Sequence, residues 1–557
     1  MNINLSRKLY LLIATSILIG LMSGCTFLNR EGSQVQQQGH LASAEKETAP
    51  QYTISWTMHQ NIPVPEDAEM ITYIEDRFDV DLEVWNLENK RYEELLDLEL
   101  AQGKIPDLFR IRQPHDLLKY QMQGVLAEIP PEVLEQYAPN IVQRIRDYDS
   151  RYLEYGKING GLYGIPAINQ TNIYRTPVVY REDWLKQLGL EVPKTLDEFE
   201  TVMYAFAKDD PDGNGKQDTY GLSREGLNVV FGAFGQAVFT EQLYFNEKNN
   251  QLVIGALEPE MKKALTYMQK WYRDGIIDPE FITGENKGGY KHLSHAFING
   301  KIGMTSMGNY YHWNQEGDYR VLNENGQETP VGASFNVKEL LQKNATAEVV
   351  FGSPVIGPDG HSGSKGNNLL MNFIAIGAEA AKEPGKLEKI LEILDYVSAN
   401  PDPEEQIKME YGLPGKHWNW SAEDSNSFHL LYPYNRMENY INMIGSSIGM
   451  TVPGTPSDKR EQWAASAGLT ENGIYNRLEV ATPALIQYSS DLIRMRDRAY
   501  ISIITGDQPV GYFDTFVEEF MDAGGQQVLL EANHWYTEHM ETSRAQVGRK
   551  IWNMHFP

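Results

Sequence analysis

The sequence predicts an α/β fold in which sheets are covered by helices. Three observations carry that expectation. Strand-like and helix-like stretches alternate along the chain, the composition is that of a folded protein, and no fixed-period repeat of a solenoid appears. With 41% hydrophobic and 11% aromatic residues the chain can fill cores. At 557 residues it exceeds one core, since cores seldom grow past about 250–300 residues, so at least two domains are expected.

Taken in order, structure is expected to begin at Tyr52-Thr53-Ile54-Ser55-Trp56, which alternates with the period of a strand. Residues 67–78 have helical apolar spacing, 80–85 read as a strand, 92–102 as a helix and 107–111 as a short strand. Residues 198–208, 259–274 and 379–398 read as helices, and 371–376 as a buried strand.

Ahead of this body, Arg7 and Lys8 precede an almost wholly apolar run at 9–21, followed by Met22-Ser23-Gly24-Cys25. A basic start, a short apolar core and small residues before a cut make a secretory signal, here 1–24. The run is shorter than the ~20 residues that span a bilayer comfortably. A cysteine directly after the small residues resembles a bacterial lipoprotein signal, in which Cys25 becomes the lipidated first residue. Met22 stands where that signal usually has Leu. Residues 25–50, rich in Gln, Ser, Glu, Ala and Gly, read as a flexible tether. Cys25 is the sole cysteine, so no intramolecular disulfide can form, and a Cys-based zinc site or cysteine nucleophile is excluded. The net charge of −27 argues against nucleic acid and against adsorption to an anionic membrane surface.

The most specific internal motif runs Asp210-Pro211-Asp212-Gly213-Asn214-Gly215-Lys216-Gln217-Asp218. Asp210, Asp212, Asn214 and Asp218 put oxygen side chains at alternating loop positions, Gly215 stands at the sharp turn, and Lys216 offers its carbonyl. Such a set suits calcium in a structural role. The bidentate Glu of the helix-loop-helix calcium loop is absent, because Gly221 stands there. The alternative is a polar turn after a helix.

Five segments resemble the extracellular solute-binding lipoproteins of bacterial ABC importers, in their large carbohydrate-binding branch. They are Lys104-Ile105-Pro106-Asp107-Leu108-Phe109 and Gly124-Val125-Leu126-Ala127-Glu128-Ile129; then Tyr155-Gly156-Lys157-Ile158-Asn159-Gly160-Gly161-Leu162-Tyr163-Gly164-Ile165-Pro166. Tyr180-Arg181-Glu182-Asp183-Trp184 with Pro193-Lys194-Thr195-Leu196 follows, and Ala296-Phe297-Ile298-Asn299-Gly300-Lys301-Ile302-Gly303-Met304 completes the order. The resemblance implies a two-lobed, periplasmic-binding-protein-like fold of type II with interlobe crossovers and a ligand cleft. The first lobe would hold 51–168 plus about 368–400, and the second about 174–365 plus 405–557. It also implies a monomer anchored by lipid on the outer membrane face, an ABC permease partner and an oligosaccharide or sugar ligand. The calcium-like loop lies where relatives, including alginate-oligosaccharide binders, carry calcium. In them Glu can follow the last Asp; here Thr219 does.

A sugar binder needs aromatic plates for C–H faces and polar groups for hydroxyls. Most of the 10 Trp and 31 Tyr will be core, so position selects the candidates. Trp56 is expected at the end of the first strand, and Arg110, Arg112 and Gln113 after the strand entered through Pro106-Asp107. Tyr174 and Arg175 fall at the first expected crossover. Asn309, Tyr310, Tyr311 and Trp313 stand where relatives often place an aromatic platform, and Trp418 in a loop of the second lobe. Arg110, Arg112 and Arg175 raise the narrower idea of an acidic sugar, since Arg holds carboxylates bidentately.

Enzyme motifs fail on spacing. His534 and His539 stand five apart and match no zinc-protease pattern. Ser362-Gly363-Ser364-Lys365 matches S-x-x-K but lies in a Gly-rich loop without partner motifs. No phosphate loop or dinucleotide fingerprint appears. A secreted glycan-degrading enzyme, needing two facing carboxylates, stays the rival from another class. A ligand sensor for a membrane kinase is the second rival.

Overall fold

A computed structural model describes residues 51–540 apart from 61–62, 66, 89–90, 151, 169–175, 289–291, 316–319, 323–324, 326, 331–332, 367–369, 423–427, 432–472 and 479. The expected signal at 1–24, the tether at 25–50 with Cys25, and the candidates Tyr174 and Arg175 lie outside the described residues.

Two main sheets organise the chain. The first has five strands in the order Val80–Glu88, Tyr52–Gln60, Leu108–Ile111, Leu370–Ile376, Ile165–Ile168. Its first three strands are parallel, with Tyr52 opposite Val80 and Trp56 opposite Leu108. Parallel neighbours need crossovers, and the helices Glu69–Phe78 and Tyr92–Ala101 supply them. Leu370–Ile376 returns from far along the chain and runs antiparallel to both neighbours. Strand Val80–Glu88 alternates buried and exposed residues, whereas Leu108–Ile111, inside the sheet, is buried throughout. The elements expected from periodicity are present, with two changes. The first strand runs on to Gln60, and the helix expected at 379–398 divides at Gly385, whose φ of 80° starts Lys386–Ala399.

The Pro106-Asp107 strand entry has a structural cause. Asp107 is buried and accepts hydrogen bonds from Ser55 N at 2.8 Å and Ser55 Oγ at 2.9 Å. Lys386 Nζ lies 3.1 Å from the same carboxylate. One side chain thus ties two parallel strands to a helix from the returning segment.

The long Tyr155 to Pro166 motif folds into a tight hairpin. Lys157–Ile158 pairs with Gly161–Leu162 around Asn159 (φ 51°) and Gly160 (φ 87°), the left-handed pair that a two-residue hairpin turn demands. Gly156 O accepts from Tyr163 N at 2.9 Å. A Cβ at Gly156 would overlap the carbonyl oxygen of Gly164, so only glycine allows this approach.

The second sheet is antiparallel, in the order Met304–Thr305, Val178–Arg181, Val349–Gly352. Beside it, Leu196–Lys208 begins at a capping box in which Thr195 Oγ1 accepts from Glu198 N, and Glu198 accepts from Thr195 N. Phe199 and Phe206 of this helix pack on Trp271 and Trp184, with ring centroids 6.0 and 5.6 Å apart. The 23-residue helix Pro483–Thr505 joins the same core through Tyr500, whose hydroxyl donates to Ala256 O at 2.7 Å.

A smaller four-stranded sheet orders Glu328–Pro330, Arg320–Leu322, Phe428–Leu431, Trp418–Trp420 and packs on its own cluster of Ile407, Tyr411, Trp418, Phe428 and Leu430. Helix Pro403–Tyr411 also meets Glu69–Phe78, since Tyr73 and Tyr396 hydroxyls both donate to Glu405.

Two pairings flank the places where the chain passes between the main sheets. Thr176 N and Thr176 Oγ1 each donate to Lys365 O at 3.1 Å, and Leu370 pairs with Ile168. Among the described residues no helix is long and apolar enough to cross a membrane.

Candidate ligand cleft

The first wall rises where Leu108–Ile111 leaves its sheet. Tyr92 hydroxyl donates to Arg110 O at 2.9 Å and accepts from Arg110 N at 3.1 Å, fixing the strand end. Burial pushes that phenol above its ordinary range. The Arg112 guanidinium lies 4.6 Å from the Tyr92 ring centroid and 3.4 Å from Glu93, an arrangement that aligns a cation over an aromatic face. Gln113 precedes helix Pro114–Met122, and its Oε1 accepts from Gln242 Nε2 at 3.3 Å. This bond reaches from the five-stranded sheet to the chain around the second sheet.

The second wall is built from segments far apart in sequence. Arg496 is fully buried, and its guanidinium donates to Thr240 O at 2.7 Å and Thr240 Oγ1 at 3.1 Å. It thereby holds the loop that delivers Gln242. Burial lowers the pKa of Arg496, and Asp497, 2.8 Å away, opposes this. Arg224 pairs with Asp497 at 2.9 Å and covers the Phe239 ring. The next residue, Glu225, is half-buried. Burial pushes its carboxyl up, Lys365 and Arg224 counter this, and Glu241 adds to it.

Behind Glu225 sits Glu285, 1% exposed. It accepts from Glu225 N at 2.9 Å, Ser294 Oγ at 2.6 Å and Thr305 Oγ1. Burial, and then the Glu225 charge, push Glu285 up to about 7 against these hydrogen bonds. The structure therefore spends a buried carboxylate on fixing the backbone of the wall.

Of the residues expected in the cleft, Gln113 is bonded to Gln242 and Arg112 stacks on Tyr92. Arg110 lies inside an all-buried strand at 8% exposure. The three tryptophans need correction. Trp56 stands mid-strand, not at a strand end, and is fully buried, because strand pairing continues four residues past it. Trp313 is fully buried, donates to Met307 O at 2.8 Å and packs edge-on against Phe297 at 5.1 Å. Trp418 is fully buried and donates to Gly412 O at 2.7 Å. In each case a large apolar ring is worth more in the core than beside a strand end. Asn309 is buried as the cap of the turn Tyr310–Trp313, and Tyr310 packs on Phe351; Tyr311 lies in that turn. Glu225, Glu241, Gln242, Lys365 and Arg496 escaped sequence reasoning. Lys365 alone had a signal, in the discarded Ser362-Gly363-Ser364-Lys365 match.

The calcium-like loop is exposed and closed on itself. Asn214 Nδ2 donates to Asp212 at 2.8 Å and Asp218 at 3.1 Å, while Asp210 accepts from Gly215 N at 2.9 Å. Gly215 has a φ of 77°. Lys216 N donates to Asn214 Oδ1 at 2.8 Å. Burial and the neighbouring acids push Asp212 up, against a hydrogen bond from Asn214 N. Thr219 points away, donating to Phe206 O at 2.8 Å, so it cannot replace the missing Glu. Among the described residues no three acidic, imidazole or thiol groups gather into a metal cage. The oxygen-rich donor set still suits a hard cation.

Residues 69–382 match the model of a family described as bacterial extracellular solute-binding proteins. Over 552 residues the chain is 24% identical to the polygalacturonan/rhamnogalacturonan-binding protein YtcQ of Bacillus subtilis, covering 94% of this chain and 97% of that protein. It is 23% identical over 472 residues to lipoprotein LipO of the same organism, covering 80% and 84%. Among solved structures it resembles the S. pneumoniae ABC-transporter substrate-binding protein FusA, as an EF-hand mutant in complex with fructo-nystose. The TM-score is 0.63 at 17% identity, covering 87% of this chain and 99% of that one. That likeness bears on the fold, which is the two-lobed α/β class expected.

Proposed function

The chain belongs to the bacterial extracellular solute-binding proteins, and from that premise we propose that it captures an oligosaccharide between two α/β lobes and hands it to an ABC permease. It is then a binding protein, not an enzyme. The observation that supports this reading is the Gln242–Gln113 hydrogen bond, which brings together polar side chains from the surroundings of the two sheets. Ligand touching both walls would shift an open–closed equilibrium by its differential affinity for the closed state. The lobes are taken as 51–168 plus about 368–400, and about 174–365 plus the C-terminal part. Arg110, Arg112 and Gln113 serve the first wall, and a lipid on Cys25 with the 25–50 tether keeps the protein at the outer face of the membrane. The similarity to a lipoprotein, LipO, and to FusA, studied as an EF-hand mutant, accords with the anchor and with a calcium site.

Calcium is assigned to Asp210, Asp212, Asn214, the Lys216 carbonyl and Asp218. Its entry requires the Asn214 amide to turn its oxygen inward and release Asp212 and Asp218. Melting in the presence of plant and microbial oligosaccharides tests the function, because a ligand of the folded state raises apparent stability. New reducing ends during incubation would refute the binding role.

A further inference from the structure

The stretch His534-Trp535-Tyr536-Thr537-Glu538-His539 matches no enzyme pattern, yet it carries a contact between distant parts of the chain. It lies in helix Gln526–Met540, which is fastened to the helices around the second sheet. Glu531 accepts from Ala484 N at 2.8 Å, in the first turn of Pro483–Thr505. Asn533 accepts from Leu252 N at 2.7 Å and donates to Leu252 O at 2.9 Å, pinning the helix to strand Gln251–Ile254. Two residues on, the Trp535 ring stacks on Tyr155, with centroids 5.2 Å and planes 28° apart. Tyr155 is 7% exposed and belongs to the surroundings of the five-stranded sheet. It ends helix Tyr152–Tyr155, directly before the hairpin that leads into edge strand Ile165–Ile168. The preceding helix Pro139–Asp149 is tied to Lys386–Ala399 by Asp395, which accepts from Ile141 N at 2.8 Å and Asn140 Nδ2 at 2.7 Å. Tyr152 packs on Tyr155 at 5.3 Å, and His539 lies on Trp535 at 5.0 Å with planes 12° apart. The four rings form a column from one side to the other, and each end is anchored to its own sheet's helices.

We propose that the Tyr155–Trp535 stack is an interlobe clasp, which favours the arrangement in which Gln242 meets Gln113 and thereby raises ligand affinity. The link to affinity rests on the function proposed above. The two rings are held from different sides, so moving one lobe against the other separates them. An aromatic pair of this kind multiplies the population of the arrangement that makes it about 2- to 12-fold. Apparent affinity scales with the fraction of molecules in the competent arrangement, so the clasp acts on binding through the lobes.

The test places spin labels on two exposed positions, one on each side, through Leu98→Cys and Ile282→Cys in a chain carrying Cys25→Ser. Double electron–electron resonance on the ligand-free protein compares the population at the label distance of the structure with the remainder. Trp535→Ala should lower that ratio about 2- to 12-fold, and Trp535→Phe, which keeps a ring, should lower it less. Tyr155→Leu retains a bulky apolar side chain and keeps the test valid if the alanine variant does not fold. Adding Trp535→Ala to Tyr155→Leu should lower the ratio little further, because either change removes the same stack. A ratio within about 1.5-fold of the parent in every folded variant would overturn the clasp. Calorimetry then uses whichever of kestose, maltotriose, xylotriose and trigalacturonate most raises the melting temperature of the wild-type protein. Affinity should fall together with the ratio; unchanged affinity beside a lowered ratio would overturn the link to binding. If no probe stabilises the wild-type protein, the proposed function falls, while the distances still decide the clasp.

Discussion

Replacing Glu285 by Gln should change how stability depends on pH. Glu285 titrates near 7 in the folded protein, against an ordinary value of 4.5. Because the folded value is raised, the folded state binds a proton between these limits that the unfolded chain has released. Stability therefore falls as pH rises from about 4.5 to 7, and the loss is complete above that. At 1.36 kcal/mol per pH unit the gap amounts to about 3 kcal/mol, an order-of-magnitude figure for a carboxyl that is 1% exposed. Gln has no proton to lose. Its oxygen can still accept from Glu225 N, and its amide can donate to the Ser294 and Thr305 hydroxyls. The variant should start somewhat less stable near pH 4.5 and gain on wild type by about 3 kcal/mol up to pH 8. Urea denaturation followed by tryptophan fluorescence, at intervals from pH 4.5 to 8, gives the difference directly. Titrating groups other than Glu225, whose charge acts on Glu285, cancel in that difference. A wild-type-to-variant difference that stays constant across this range would refute the burial argument and the value assigned to Glu285.

Three further outcomes follow from the packing. Gly156→Ala should destabilise by about 1–3 kcal/mol or more in a melting or urea experiment, because the new methyl overlaps Gly164 O in a hairpin that cannot move away. Asp107→Ala should cost about 1–3 kcal/mol by the same assay, since it removes the acceptor of the Ser55 N–H and leaves Lys386 only Glu383, 3.4 Å away. Calcium should raise the melting temperature and a chelator reverse it. Asp212→Asn should abolish the response, whereas Thr219→Ala, whose hydroxyl faces Phe206 O, should leave it intact.

The fold was largely legible because period and turn chemistry are local. Residues 80–85 alternate and form a strand, 92–102 carry helical spacing and form a helix, and Asn159-Gly160 closes the hairpin its residues favour. Among the expected cleft residues, Arg112 and Gln113 follow a strand whose position was readable, and Gln113 meets Gln242 from a distant segment. Trp56, Trp313 and Trp418 misled because a tryptophan suits a sugar platform and a core equally well. Their burial depends on how far a strand extends and what packs across it.

By itself, the sequence determined the alternating elements, the oxygen-rich Asp210 to Asp218 loop, the glycine-dependent hairpin and the likeness to extracellular solute binders. These properties arise from neighbours along the chain. Only the tertiary structure decided that Arg496 holds the loop of Gln242 against Gln113, and that Glu285 sets the backbone of Glu225. The residues of that wall come from three distant segments, and no local period encodes their meeting. Hydrophobic burial of the helices and strands between them brings them together.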